Sequence, residues 1–335
     1  MIDELTMQWP LPAFVRGTTL HEPGAGSRIG PEFRDRLPAD TLSTAEIPSG
    51  IRLSFSSEAE ALEVTFTAQQ AHPLAPATMP AAFSIWQGTA IEARVPVGAG
   101  DTSAVLPLAT PGGSYEIHLP EALVPRLTAL RPRGFIRPLP EQPRWLAYGD
   151  SITQGWSATD PGRTYPALAA RRLGLDVHNL GFAASARGEI PVAEQIAGTP
   201  ADVISLAFGT NNWSRIPTGR RHMRGVVEDF LTTVRNGQPH VPIVVVSPIL
   251  RPDAETTANA LGCSLSELRD AIEETVSARA AGDPNLHLLQ GRDLVSADQL
   301  ADGIHPDDRG HEIMSEAIAD LLEPILKQRP AGGER

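Results

Sequence analysis

The stretch RWLAYGDSITQG, residues 144–155, decides the fold of the second half of the chain. Its apolar run Trp145–Tyr148 has the length of a short buried strand, and the residues Gly149-Asp150-Ser151 follow as a small polar turn. Beyond this turn, apolar runs typical of strands alternate with amphipathic stretches typical of helices. The alternation predicts an α/β fold with a doubly wound parallel sheet and βαβ crossovers.

Eight further elements are predicted after Tyr148. Strands are expected at Asp176–Leu180, Val203–Phe208, Ile243–Val246 and Leu286–Leu289, and helices at Tyr165–Leu173, Gly219–Asn236, Ser264–Ala281 and Asp308–Lys327. The continuous apolar strands are of the kind that a parallel sheet buries on both faces. Ser264, with Glu267 three residues later, has the pattern of a capping box.

The first part of the chain has the pattern of an all-β sandwich or jelly roll. Short apolar or alternating runs are separated by turns rich in glycine and proline. They predict strands at Ile51–Phe55, Ala61–Phe66, Ala82–Trp86, Ile91–Val95 and Tyr115–Leu119. The proline-rich segment Arg131–Pro143 fits a stiff, extended linker. We therefore predict a β domain over residues 1–138 and an α/β domain over residues 144–328.

Composition and charge exclude several classes of protein. The 335 residues include 28 basic and 40 acidic side chains, and the net charge of −12 argues against nucleic acid or an anionic membrane as a partner. No apolar run approaches the ~18 residues of a membrane span, and no signal peptide is predicted at the start. Cys263 is the single cysteine, so an intrachain disulfide and a cysteine-based zinc site are excluded. We expect a cytoplasmic protein.

Four small clusters of polar residues and glycine lie where the predicted strands of the α/β domain end, or just before its last helix. They are Gly149–Gly155, Asn179–Gly181, Gly209–Asn212 and Asp302–Pro306. Ligands of doubly wound sheets bind beyond the carboxyl ends of the strands, and parallel strands end at the same edge. The convergence of the four clusters predicts an active site at this edge.

The four clusters resemble the sequence blocks of the SGNH hydrolase superfamily, also called the GDSL esterases and lipases. The resemblance covers about residues 144–328 and keeps the order of the blocks. It implies a flavodoxin-like sheet and serine acyl transfer with neither a cofactor nor a metal. Some members of this superfamily also carry a jelly roll ahead of the catalytic domain, similar to the two-part layout predicted here.

The resemblance also implies a role for each block. Ser151 would be the nucleophile, His305 the general base and Asp302 the carboxylate that orients the imidazole. The oxyanion hole would consist of the Ser151 and Gly181 backbone N–H groups and the Asn211 side chain. The surroundings of Ser151 lack the Gly-x-Ser-x-Gly elbow of the α/β-hydrolases.

Some nearby residues leave alternatives open. In the superfamily, the block that corresponds to Gly209–Asn212 usually ends with aspartate, whereas this chain has Asn212. The difference leaves the supporting hydrogen bonds of this block open, but not the catalytic chemistry. Trp156 and Trp213 are candidates for lining a substrate pocket, with simple core packing as the alternative. Arg187 could contact an acyl donor or could be a solvated loop arginine. The remaining histidines have no metal-binding spacing.

Three hypotheses about function follow from these residues. The leading one is an esterase that removes an acyl group from an oxygen of a small molecule or sugar. The second is an acyltransferase, in which a hydroxyl of a natural product captures an acyl group from a donor such as acyl-CoA. The third is a carbohydrate-binding protein with a vestigial catalytic domain. A separate hypothesis has the β domain forming one wall of the active site.

Overall fold

The computed structural model describes residues 6–8, 11–19, 27–68, 72–73 and 78–327. Parts of the predicted β domain before residue 78, and residue 328 at the end of the α/β domain, lie outside this range. The described residues form two antiparallel sheets before residue 139 and one parallel sheet from residue 144 onward. None of the helices in the described ranges is long and apolar enough to cross a membrane.

The two antiparallel sheets pack face to face as a sandwich. Their strands are β1 (Met7–Gln8), β2 (Val15–Arg16), β3 (Arg52–Ser57), β4 (Ala61–Thr67), β5 (Ala82–Gln87), β6 (Ala90–Pro96), β7 (Ser103–Pro107), β8 (Gly113–His118), β9 (Arg126–Pro132) and β10 (Ile136–Pro138). One sheet has the order β1-β9-β4-β7, and the other has the order β10-β3-β8-β5-β6 with β2 beside β3. The ring centroids of Phe66 and Phe83, one from each sheet, are 5.2 Å apart in the shared core. The predicted β sandwich is confirmed, whereas its jelly-roll connectivity stays a prediction.

The predicted linker over Arg131–Pro143 is wrong for most of its length. The first two of its residues belong to β9, and Ile136–Pro138 forms β10, which pairs with β3 at the edge of its sheet. Proline is compatible with an edge strand because such a strand has a neighbouring strand on one side only. The N–H group that proline lacks can be on the other side, where no strand would accept its hydrogen bond. Only the residues after Pro138 connect the sandwich to the parallel sheet.

A helical segment before β3 packs on the α/β domain, although the sequence assigns it to the β domain. It contains α1 (Pro31–Arg34) and α2 (Ala39–Ala45), neither of which the sequence analysis predicted. Ile29 and Ala45 are buried in the same apolar cluster as residues of the parallel sheet. The boundary between the two parts of the fold is therefore not a single point in the sequence.

The parallel sheet has the five strands that the sequence predicted, and four of its seven helices are the predicted ones. The helices at Ser151–Gln154, Ile190–Gly198 and Thr210–Ser214 were not predicted. Its strands are β11 (Arg144–Gly149), β12 (Asp176–Gly181), β13 (Val203–Ala207), β14 (Ile243–Val246) and β15 (Leu286–Leu289), and the helices are α3 (Ser151–Gln154), α4 (Tyr165–Leu173), α5 (Ile190–Gly198), α6 (Thr210–Ser214), α7 (Arg220–Gly237), α8 (Leu265–Ala280) and α9 (Asp308–Lys327). The order β12-β11-β13-β14-β15 is the flavodoxin-like arrangement. Ser264 caps α8 and forms the predicted capping box with Glu267. The predicted α/β fold class is confirmed.

Apolar side chains bury the parallel sheet on both faces. Leu146 and Tyr148 of β11 enter one core cluster, and Trp145 and Ala147 enter the other. This alternation follows from the opposite directions of successive side chains along a strand. The polar residues that follow the strands are consequently left at the carboxyl edge, where β11 and β13 lie side by side.

Candidate active site

A tight strand-to-helix turn presents Ser151. Strand β11 ends at Gly149, and the Asp150 side chain caps the short helix α3 by accepting the Ile152 N–H at 2.9 Å. A side chain at Gly149 would meet Thr153 Oγ1 at 2.0 Å and the Ala207 carbonyl at 2.6 Å, so only glycine fits this turn. Ser151 is the first residue of the helix, and its N–H group therefore has no acceptor within the helix.

Asp150 is buried in the turn beside Ser151. Burial raises its pKa to about 6, against the opposing hydrogen bond from Ile152 and the positive charge of Arg251. Its carboxylate binds the helix N-terminus rather than the histidine. Asp150 thus braces the turn that carries the serine.

His305 joins Ser151 to Asp302 through both of its ring nitrogens. Ser151 Oγ lies 2.8 Å from His305 Nε2, and Asp302 Oδ2 lies 2.7 Å from His305 Nδ1. The other carboxylate oxygen of Asp302 accepts the backbone N–H groups of Ile304 at 3.0 Å and His305 at 2.8 Å. Gly303 has a φ of +79°, which lets the chain turn tightly enough for this local contact. The hydrogen bonds fix the Asp302 carboxylate against the imidazole.

The electrostatics of this relay keep the imidazole neutral and the carboxylate ionised. Burial lowers the pKa of His305 below its usual 6.5, although Asp302 opposes the shift. Burial disfavours ionisation of Asp302, but hydrogen bonds from His305 outweigh it and hold the pKa of Asp302 below 3.8. With Nδ1–H donated to the carboxylate, the unprotonated Nε2 can accept the serine proton.

Trp156 packs beside the imidazole at the entrance of the relay. Its ring centroid is 5.6 Å from that of His305. Behind it, His311 is completely buried; its Nδ1 accepts the Tyr165 N–H at 3.2 Å, and its Nε2 faces the Trp156 carbonyl at 3.5 Å. Burial lowers the pKa of His311 to about 4, so it is a neutral packing residue. Trp156 therefore has a fixed position against His305.

The loop after β12 forms the opposite side of the site. The Asn211 side chain donates to the Ala186 carbonyl at 3.1 Å, and the Asn212 side chain donates to the Arg187 carbonyl at 3.3 Å. Both asparagines thus fix this loop, and aspartate at position 212 could not donate this bond. Ala184 lies in the loop with a left-handed φ of +60°. Within the described chain, its backbone N–H has no acceptor.

The structure does not support the predicted role of Gly181. Its N–H is already donated to Asn179 Oδ1 at 2.8 Å, and it does not line the cavity beside Ser151. A side chain at Gly181 would collide with the backbone of Gln154 at 2.2 Å. Glycine is therefore needed here for close packing of β12 against α3, not for access of a substrate.

The cavity beside Ser151 has a volume of about 300 Å³. Its lining residues are Ser151, Trp156, Ala183, Ala184, Thr210, Asn211, Ser214, Arg215, Arg251, Ile304 and His305. All of them lie within the α/β domain. The hypothesis that the β domain walls the active site is therefore wrong for the part of the chain that the structure describes. Residues from before β3 contact the loop after β12, since Asp40 of α2 binds Arg187.

Two of the three predicted pocket residues lie outside the cavity lining. Trp213 packs partly buried on the core and donates its indole N–H to the Thr257 carbonyl at 2.9 Å, so core packing is its main role. The side chain of Arg187 is only 11% exposed and pairs with Asp40 and Glu189. Arg187 is therefore neither a cavity residue nor a solvated arginine. Trp156 is the one of the three that lines the cavity.

The sequence analysis missed Ala184, Arg215 and Arg251 at the cavity. Ala184 has no sequence signal of its own, because alanine is common and its left-handed conformation is not visible in the sequence. Arg215 follows the Gly209–Asn212 block directly, and that proximity could have indicated it. Arg251 comes from the loop after β14, for which no motif was recognised. Nowhere in the described ranges do three or more metal-ligating side chains gather at one point.

A family model matches the α/β part of the chain, and a curated protein matches about half of the chain. The model of the GDSL-like lipase/acylhydrolase family matches residues 147–313, which include Ser151, Asn211 and His305. A GDSL lipase of Mycobacterium tuberculosis is 31% identical over 200 residues, which cover 53% of this chain and 80% of that protein.

Two solved structures resemble the chain over nearly its full length. A salicylyl-acyltransferase from a tetracycline biosynthetic pathway has 25% identity and a TM-score of 0.85, covering 97% of this chain and 98% of its own. A family two carbohydrate esterase from Cellvibrio japonicus has 16% identity and a TM-score of 0.66, covering 96% and 98%. The second likeness concerns the fold alone.

Proposed function

The chain belongs to the GDSL-like lipase/acylhydrolase family, and from this premise we propose that it transfers acyl groups through an acyl-enzyme on Ser151. The leading candidate reaction is hydrolysis of an O-acyl ester of a small molecule or sugar. The observation that carries the proposal is the continuous contact from Ser151 Oγ through His305 to Asp302, at 2.8 and 2.7 Å. A serine hydroxyl needs such a base to attack a carbonyl at neutral pH.

The proposed reaction proceeds in two halves. Ser151 Oγ attacks the acyl carbon while His305 Nε2 takes its proton, and Asp302 stabilises the imidazolium that forms. His305 then returns the proton to the leaving alcohol, and the acyl group stays on Ser151. In the second half, His305 takes a proton from water, whose oxygen attacks the acyl-enzyme; the bond from the acyl carbon to Ser151 Oγ then breaks, His305 returns the proton to Oγ, and the acid leaves.

For the oxyanion, we propose the backbone N–H groups of Ser151 and Ala184 and the side-chain amide of Asn211. The Ser151 N–H has no acceptor within its helix, and the Ala184 N–H has no acceptor among the described residues. Asn211 lines the cavity and uses one amide hydrogen on the Ala186 carbonyl, which leaves the other for a substrate. Three donors in a partly enclosed site stabilise the negative charge that develops in the transition state.

The second candidate is an acyltransferase, in which an alcohol replaces water in the second half. The similarity to the salicylyl-acyltransferase over 97% of this chain supports it. Both candidates share every step up to the acyl-enzyme, so the residues of the relay do not distinguish them. Against a binding role without catalysis stands the intact hydrogen-bonded relay, since a vestigial site has no need to preserve it.

A partition experiment tests both candidates. The protein is given activated esters and thioesters with acetyl, longer-chain and aromatic acyl groups, in water alone and with sugar or phenol acceptors. Acid release supports hydrolysis, and acylated acceptor exceeding the acid supports transfer. Intact mass after fluorophosphonate treatment should show one adduct on Ser151. If the native protein takes up no adduct and turns over none of the donors, the proposed function fails.

The activity is expected to persist into mildly acidic solution. His305 must be neutral to act as a base. Because its pKa is lowered from 6.5, most of the imidazole is still neutral at pH 6.5. The acid limb of kcat/KM should therefore have its midpoint below 6.5. Because Asp302 raises the pKa of His305, Asp302→Asn should move this midpoint further to the acid side while lowering the rate. A midpoint above 6.5 in the native protein would contradict the lowered pKa of His305.

A further inference from the structure

The lining of the cavity beside Ser151 includes positively charged but no negatively charged side chains, in an otherwise acidic protein. Among its eleven lining residues are two arginines and no aspartate or glutamate. The chain as a whole has 40 acidic and 28 basic residues. From this composition alone, carboxylates would be expected more often than arginines in the lining. The charged side chains that line this cavity are therefore of the sign that is less common in the chain.

Arg215 is an exposed arginine at this cavity, just after helix α6. Within the part of the chain that the structure describes, no carboxylate lies within ion-pair distance of its guanidinium. Some exposed arginines of the α/β domain do have such partners, for example Arg172 with Asp320 and Arg224 with Glu274. The charge of Arg215 is thus left for solvent or for a ligand.

Arg251 is a buried arginine that is held in place at the same cavity. Its Nε and Nη2 atoms bind the Asp253 carboxylate at 3.0 and 3.2 Å, and its guanidinium stacks 4.7 Å from the Trp213 ring centroid. The Nη1 atom makes no hydrogen bond to the described residues. A guanidinium fixed on two sides loses little conformational entropy when a third group binds it.

We propose that Arg215 and Arg251 form a subsite for a negatively charged oxygen group, a carboxylate or a phosphate, on the substrate that Ser151 attacks. The inference rests on the proposed function and narrows its substrate to an ester or thioester with an anionic group. Arginine binds such groups through paired N–H donors, and these charge-assisted bonds are stronger than neutral ones. Trp156 and Ile304 add apolar surface to the same lining, which suits an aromatic or aliphatic body between the anion and the ester.

Matched pairs of esters test the subsite in turnover. On the acyl side, para-nitrophenyl hydrogen adipate is compared with para-nitrophenyl hexanoate; on the alcohol side, para-carboxyphenyl acetate is compared with phenyl acetate. In at least one pair, kcat/KM should favour the anionic ester by about tenfold to hundredfold. Arg215→Gln should remove most of that preference. Arg221→Gln, an exposed arginine outside the cavity lining, changes the net charge equally and should keep it.

A binding measurement decides the question without turnover. Calorimetry compares benzoate and phenyl phosphate with the neutral benzamide, on the native protein and on the variants Arg215→Gln, Arg251→Gln and Arg221→Gln. Tighter binding of an anion, lost in Arg215→Gln and kept in Arg221→Gln, supports the subsite, and the better anion identifies the group. Thermal unfolding checks that Arg251→Gln, which loses the contact with Asp253, is still folded. If Arg251→Gln is not folded, Arg215→Gln alone tests the subsite.

The failures of the two proposals are distinguishable. If the protein turns over neutral esters but prefers no anion in either ester pair or in calorimetry, the subsite is wrong and the proposed function stands. An anion preference that Arg215→Gln leaves intact also overturns the subsite. If the native protein acquires no fluorophosphonate adduct and turns over no ester while benzoate still binds through Arg215, the acyl-enzyme is wrong and the anion site stands.

Discussion

Replacement of Ser151 by alanine is expected to lower kcat for ester turnover by about 10⁵-fold or more. Without the hydroxyl no acyl-enzyme can form, and only a water molecule activated by His305 could attack the substrate. The effect should fall on kcat rather than KM, because Ser151 contributes the attacking oxygen and little of the surface of the 300 Å³ cavity. Steady-state kinetics with an activated ester measures it, and the fluorophosphonate adduct should disappear in parallel.

Ser185→Ala is the matched control for this change. Ser185 is a buried serine next to Ala184, and its hydroxyl has no hydrogen-bond partner among the described residues. Its removal therefore breaks no bond, and activity and thermal stability should stay close to those of the native protein. If Ser151→Ala retained a tenth of the native kcat, another nucleophile would have to be sought.

Replacement of His305 by alanine is expected to cost about as much as the loss of Ser151, and the double variant should cost no more than either single one. The two residues act as one unit, since the hydroxyl is a useful nucleophile only while the imidazole accepts its proton. If the two residues contributed independently, the fold losses of kcat in the single variants would multiply in the double variant. Comparison of kcat in the two single variants and the double variant measures this lack of additivity.

The folded state should survive the loss of His305. Its side chain is 13% exposed and contacts the cavity, and the turn before α9 is also held by the Ala301 N–H bond to the His305 carbonyl at 2.8 Å. Circular dichroism and thermal unfolding serve as the check. A double variant that is slower than each single variant by another factor of about 10³ would show that the two residues act separately, and the relay mechanism would be wrong.

The local patterns of the α/β domain could be read from the sequence. Continuous apolar runs predicted β11 to β15 to within a few residues, and Ser264 with Glu267 marked the start of α8. Such elements are predictable because periodicity and capping depend on neighbours within about four residues. The helices α1, α2, α5 and α6 were missed, since short helices have little periodicity of their own and are stabilised by packing on other parts of the fold.

One buried arginine illustrates what local patterns cannot predict. Arg28 is fully buried, donates to the carbonyls of Asn179 and Gly181 at 2.9 and 2.5 Å, and also binds the Thr44 and Ile47 carbonyls. Burial lowers its pKa to about 9. These hydrogen bonds of Arg28 connect the chain before α1 to the end of β12, some 150 residues away. In the sequence it is one arginine in a loop, because its partners are backbone oxygens that leave no motif.

The sequence by itself determined the fold class and the candidates Ser151, Asn211, Asp302 and His305. It could do so because these roles require particular side chains at particular strand ends. The tertiary structure decided which further residues line the cavity: Ala184 rather than Gly181, and Arg215 and Arg251 rather than Arg187. The lining of a cavity and the partners of its polar groups depend on residues that only folding brings together.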